Sequence, residues 1–143
     1  GWSQEAFLHA ADKAKVLSEC RRVLLPGGTL AFTDILVRTD TPQVDRNRIY
    51  NRVKAPDMWD LADYHRALEG LELEILQTED WSEHVARSYD WVRGQVVENR
   101  EKLLKLVDAE TIDSTVDALK FWVESATAGK IGWAFFVARK PQA

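Results

Sequence analysis

A chain of 143 residues has room for one domain and not two, so residues 1–143 read as a single domain. An apolar share of 45% with 29% charged residues is the balance of a soluble globular chain. The formal charge of −4 leaves no basic excess to screen a phosphate backbone, which argues against nucleic-acid binding.

No apolar run reaches the roughly 18 residues of a membrane span, and the start shows no secretory pattern. The single cysteine, Cys20, allows no internal disulfide and no paired metal ligand, so a cytoplasmic setting is expected.

From Asp12, a candidate cap, the apolar positions Val16, Leu17, Cys20, Val23 and Leu24 recur at helical spacing. Pro26-Gly27-Gly28 stops that helix. Thr29 to Ile35 is apolar on both faces, the pattern of a strand buried inside an α/β sheet. Val37 to Pro56 is polar and reads as a surface loop with a short helical piece. Asp57 is the expected cap of the next helix, with Met58, Leu61, Tyr64 and Leu68 inward and Gly70 at its end. Leu71, Leu73 and Ile75 alternate with glutamates as a half-buried strand.

Trp81 to Asp108 reads as one long helix, capped by Asp80 or Ser82, and Ile112 to Ala126 as another closed by Gly129. Ile131 to Arg139 is the last strand. The order α-β-α-β-α-α-β gives an α/β domain with only three strands. The doubly apolar strand 29–35 then lies central or has a free edge awaiting another chain.

The run Trp2-Ser3-Gln4-Glu5-Ala6-Phe7-Leu8-His9, the following helix, and Leu24 to Asp34 (LLPGGTLAFTD) resemble the latter half of class I methyltransferases that use S-adenosylmethionine. The likeness is to the small-amine methylators, the sarcosine/dimethylglycine N-methyltransferases and the phosphoethanolamine methyltransferases. It continues through Arg52 to Met58, the Tyr64 helix and Gly132-Trp133-Ala134-Phe135-Phe136, and so covers nearly the whole chain.

The resemblance implies the C-terminal half of a Rossmann-like methyltransferase sheet, strands five, six and seven, with flanking and lid helices. The chain would begin at the end of strand four, and strand seven would lie between five and six. Such enzymes hold the cofactor on a glycine-rich turn in their first half, where backbone can approach the ligand closely. The only adjacent glycines here, Gly27 and Gly28, precede a strand and read as a turn. The expectation is therefore a substrate-facing half, inactive alone, with S-adenosylmethionine bound mainly by a missing N-terminal half. The strand 29–35 edge would join a homodimer or a separate N-terminal half. Flanking of 29–35 on both sides by the chain's own strands would count against this half-sheet reading.

His9 matches the histidine of the Leu-His motif in the phosphobase enzymes, which pair it with a tyrosine from the N-terminal part. The resemblance makes it the candidate base or orienter, and imidazole titrates near neutrality. The alternative is a hydrogen-bonded residue at a helix entry. Ser3 and Gln4 fall at the carboxyl end of strand four, facing cofactor and substrate, or are ordinary turn polarity. Asp34 would accept from substrate or cap a loop.

Arg52 and Lys54 match the Arg-x-Lys of the sarcosine/dimethylglycine enzymes and would hold a substrate carboxylate, unless they are solvated loop cations. Trp122 and Trp133 would offer ring faces to a methylated ammonium or pack the core. His65 and His84 are too scattered to suggest a metal site, so none is expected.

Where the phosphobase enzymes cradle phosphate, this chain has Ile35, Lys54, Pro56 and Trp122, which favours a carboxylated amine such as sarcosine or dimethylglycine over phosphoethanolamine. A free-standing methyltransferase-derived α/β module, dimerising or binding a small ligand without catalysis, is the second expectation. O-methylation on the same fold is a third.

Overall fold

A computed structural model describes residues 1–142. The chain opens with a short strand β1 (Trp2–Gln4) and a single 3-10 turn over Phe7–His9. Helix α1 (Lys13–Val23) follows, with Asp12 capping it by accepting from Lys15 N at 2.9 Å. Strand β2 (Thr29–Val37) runs two residues beyond the expected 29–35. The stretch expected as loop holds a full helix, α2 (Gln43–Val53), ended by Lys54 in the left-handed conformation at φ 54°.

The cap of helix α3 (Leu61–Gly70) is Asp60, not Asp57. Asp60 and Asp63 form a reciprocal capping box, while Asp57 pairs with the buried ammonium of Lys13 at 2.6 Å. Strand β3 (Glu74–Asp80) starts later than the alternation suggested, because Leu71 to Leu73 still belongs to the turn that leaves α3. The long helix is two: α4 (Ser82–Glu98) and the short α5 (Arg100–Leu103), separated at Asn99. Helix α6 (Ala109–Thr127), capped by Asp108, leads into β4 (Ile131–Arg139).

The sheet has four strands in the order β1-β2-β4-β3, so the three-strand expectation is corrected. β1 is parallel to β2, and β4 runs antiparallel between β2 and β3. This is the order that the resemblance implied, with β1 as the end of strand four and β4 as the inserted strand seven.

The expectation of a free edge along residues 29–35 is also corrected. β1 occupies that edge at Ala31, Phe32 and Thr33. The flank is only three residues long, and β1 in turn is the outermost strand of the sheet with Trp2 62% exposed. Residues 31–33 are thus flanked on both sides by the chain's own strands, which counts against the argument from a free edge at 29–35, and the available edge lies one strand further out, along β1.

Strand periodicity divides the core. Leu30, Phe32 and Leu36 of β2, with Ala134, Phe136 and Ala138 of β4, pack beneath Leu17 of α1 and Tyr64 and Leu68 of α3. Ile35, Val37 and Ile131 face the other way and meet Ile49 of α2, Val85 of α4 and Trp122 of α6. Among the described residues no helix is long and apolar enough to cross a membrane.

Candidate active site

At the carboxyl end of β1 the chain turns through Glu5, which holds a left-handed backbone at φ 41°. A non-glycine residue there is strained, and such strain persists only where surrounding contacts fix it. The contacts are visible. Glu5 N donates to Thr33 O at 2.9 Å, and Glu5 Oε1 accepts from Thr33 Oγ1 at 2.9 Å and from Trp133 Nε1 at 3.0 Å. One carboxylate is thus pinned over the sheet by residues of two other strands.

This carboxylate opens on a cavity of about 300 Å³ between the sheet and the first half of α4. Gln4, Ile35, Val85, Tyr89 and Trp133 complete most of its wall. The Tyr89 ring meets Trp122 edge-on at 5.8 Å between centroids. Burial pushes the Tyr89 hydroxyl above its ordinary range and the Glu5 charge adds to it, while Arg52 and the Trp122 indole pull the other way. Acid, phenol and guanidinium therefore share one electrostatic neighbourhood.

Near Tyr89 lie two buried donors: Arg52 Nε lacks a hydrogen-bond partner among the described residues, and Trp122 Nε1 faces the Tyr89 hydroxyl without reaching hydrogen-bond geometry. The Arg52 guanidinium carbon stands 5.9 Å from the centre of the Trp122 ring. An unsatisfied buried donor is costly, so Arg52 Nε fits an acceptor supplied from outside the chain.

The sequence-predicted residues separate on this geometry. Gln4 and Trp133 line the cavity and Arg52 lies close behind it. Ser3 is half-buried within β1, paired with Phe32. His9 is exposed at the end of the 3-10 turn and does not line the cavity. Lys54 is an exposed helix end, also outside it.

Two further candidates are buried away from the cavity wall. Asp34 is 1% exposed and lies on the α1/α3 face of β2, one residue before Ile35 and so on the opposite side from the cavity. Its oxygens accept from Leu8 N at 3.3 Å and Tyr64 Oη at 2.5 Å. Trp122 is 1% exposed, so its ring is core packing and only its N–H remains to be used.

Glu5 and Tyr89 were missed in the sequence. Glu5 stood inside the recognised Ser-Gln-Glu-Ala-Phe run, and an acid just beyond a strand's carboxyl end was the available signal. Tyr89 lay in a helix of mixed polarity and gave none.

For S-adenosylmethionine the fit is partial. Gln4 and Glu5 offer polar side chains at the carboxyl end of a parallel strand, which suits one flank of a cofactor. Gly27 and Gly28 cannot serve as the cradle. Gly27 N donates to Lys140 O and Gly28 N to Leu25 O, closing the turn between α1 and β2.

Comparison with known proteins agrees with this architecture. The family described as "Methyltransferase domain" matches residues 1–32. The sarcosine/dimethylglycine N-methyltransferase of Halorhodospira halochloris is 33% identical over 139 residues, covering 97% of this chain and 50% of that protein. The dimethylglycine N-methyltransferase of Parasynechococcus marenigrum is 32% identical over 140 residues, covering 98% and 50% respectively. The chain thus spans about half the length of these curated relatives.

A Galdieria sulphuraria structure assigned as a sarcosine dimethylglycine methyltransferase superposes with a TM-score of 0.89 at 30% identity, over 99% of this chain and 52% of that one. Phosphoethanolamine N-methyltransferase 2 of Haemonchus contortus shares the fold, with a TM-score of 0.88 at 20% identity, covering 99% of this chain and 33% of its own. In sequence and in sheet order, the chain is related to the class I S-adenosylmethionine-dependent methyltransferases and corresponds to the C-terminal half of their fold.

Proposed function

We propose that the chain is the substrate-facing part of an N-methyltransferase acting on a small zwitterionic amine such as sarcosine or dimethylglycine. The observation that carries this reading is the pairing of a pinned carboxylate, Glu5, with the buried, unpartnered Arg52 Nε, both groups acting on Tyr89. An ammonium fits the Glu5 carboxylate between the aromatic walls of Trp133 and Tyr89, and cation–π attraction there is worth about 0.5–2 kcal/mol. A carboxylate on the same ligand suits the Arg52 and Trp122 donors. The relatives named for sarcosine and dimethylglycine support the choice of ligand.

The amine must lose its proton before its lone pair can form the new N–C bond. Glu5 is the residue placed at the cavity to accept it, and His9, on the turn that follows, is the second candidate. S-adenosylmethionine, when bound, supplies the sulfonium methyl group. Gln4 and Ser3 would border it, and a cofactor-holding layer would pair along the outer edge of β1. Without that layer the chain binds its amine and transfers nothing.

The test is an NMR titration of the full chain with dimethylglycine, alongside dimethylamine, acetate and phosphoethanolamine. Saturable shifts of the Trp133 and Trp122 indole N–H signals with dimethylglycine, and weaker response to the others, support the reading. Equal or no response at millimolar ligand overturns it. Adding the upstream half of a sarcosine/dimethylglycine enzyme with S-adenosylmethionine should then give methyl transfer. Amine binding that never becomes transfer would favour the non-catalytic module instead.

A further inference from the structure

We propose that Asp34 is a positioning residue whose ionised carboxylate clamps the Phe7–His9 turn against the sheet and releases it on taking up a proton. Asp34 Oδ1 accepts from Leu8 N at 3.3 Å, and Oδ2 accepts from Tyr64 Oη at 2.5 Å. Asp34 and Tyr64 are 1% and 0% exposed, so no solvent replaces either bond. Otherwise the turn is tied by its own backbone bonds, His9 N to Ala6 O and Ala10 N to Phe7 O. The Leu8 bond is the hydrogen bond that fastens it to β2, beside the packing of Phe7 on Phe32 at 5.0 Å and of Leu8 in the cluster with Ile35.

The surroundings leave this carboxylate without a direct counter-ion. Lys13 of α1 is the nearest cation acting on it, but its ammonium is committed to Ala10 O, Asp57 O and Asp57 Oδ1. From α3 and the segment before it, Tyr64 is joined by Asp63 and Asp57, both negative, while His9 on the turn is exposed. Burial consequently pushes the Asp34 carboxyl up to about 6, against the lowering effect of the Tyr64 and Leu8 bonds.

A protonated carboxyl facing two donors is short of acceptors and carries a new O–H with nowhere to go. Tyr64 cannot retreat, because Phe32, Trp59 and Phe136 wall its ring at 5.4, 5.1 and 5.2 Å. The longer bond, to Leu8 N, gives way first. The consequence for His9 as a site residue rests on the function proposed above; the clamp itself does not.

The experiment follows the Leu8 amide proton of the full chain by NMR from pH 5 to 8, with no amine present. Expected is a titration with a midpoint near 6 that persists in His9→Gln, vanishes in Asp34→Asn and moves to higher pH in Tyr64→Phe, where the carboxylate loses its phenol donor. A flat Leu8 signal in the parent chain, its persistence in Asp34→Asn, or its loss in His9→Gln overturns the proposal. Tyr64→Phe retains the ring, so it reports even if Asp34→Asn unfolds. Failure of amine binding would leave this midpoint untouched, which separates the two readings.

Discussion

The indole N–H of Trp133 donates to Glu5 Oε1 at 3.0 Å across 128 residues of sequence. That bond closes one wall of the cavity, joining the loop after β1 to β4. It also brings an aromatic face beside the Glu5 carboxylate at the cavity.

Trp133→Phe keeps a ring and removes the donor. Glu5 retains Thr33 Oγ1, so the fold should lose only about 1 kcal/mol, the net worth of one hydrogen bond. Dimethylglycine binding, if the proposed function holds, should fall several-fold, because the carboxylate is then held by Thr33 Oγ1 alone. A thermal melt and the NMR titration read the two effects separately, and an unchanged affinity would remove Trp133 from the site.

The burial of Asp34 has a signed effect on stability. Its folded-state value of about 6 lies above the ordinary 3.8, so between pH 4 and 6 the folded chain holds a proton that the unfolded chain has released. Stability from this group is therefore full below about pH 4 and is lost as pH rises through 6, by about 3 kcal/mol. Asp34→Asn lacks that dependence. Urea midpoints at pH 4.5 and 7 should show the variant gaining on the parent chain as pH rises, and a constant difference would refute it.

Lys13→Met tests the buried ammonium. The Lys13 side chain is 1% exposed and satisfies Ala10 O and Asp57 O as well as the Asp57 carboxylate. Asp57 is 48% exposed and can return to water, so the loss stays below that of a fully buried pair, about 2–3 kcal/mol. Chemical denaturation measures it.

Gly132→Ala tests the seat of α4. A Cβ there would lie 2.8 Å from Ser82 Oγ and 3.3 Å from Arg38 Cδ. Ser82 Oγ already accepts from Trp133 N at 3.1 Å. Overpacking should cost about 1–3 kcal/mol and disturb the cavity wall. Adding Ser82→Ala should recover part of the loss, as a double-mutant cycle of melting curves would show.

Much of this was legible from residue patterns. The helix from Lys13, the strands at 29 and 131 and the turn at Gly27 follow from spacing and turn chemistry, and the strand order follows from the family likeness. Capping was harder, since Asp57 and Asp60 are equally good caps by type. The choice was made by Lys13, which claims Asp57 from another helix. Periodicity could not show the fourth strand, because three residues carry none; only the family likeness put the end of a strand there, and pairing with Ala31 to Thr33 makes Trp2 to Gln4 one.

Sequence alone determined the class of fold and the likeness to the methyltransferases, and it singled out Gln4, Arg52 and Trp133, which the fold gathers at or beside one cavity. Tertiary structure decided which side of the sheet each one serves. Thr29 to Ile35 is apolar in both directions, so nothing in its composition says that Asp34 turns towards Tyr64 while Ile35 turns towards Trp133. The pleat sends neighbours to opposite faces, and only the helices that cover those faces give each its meaning.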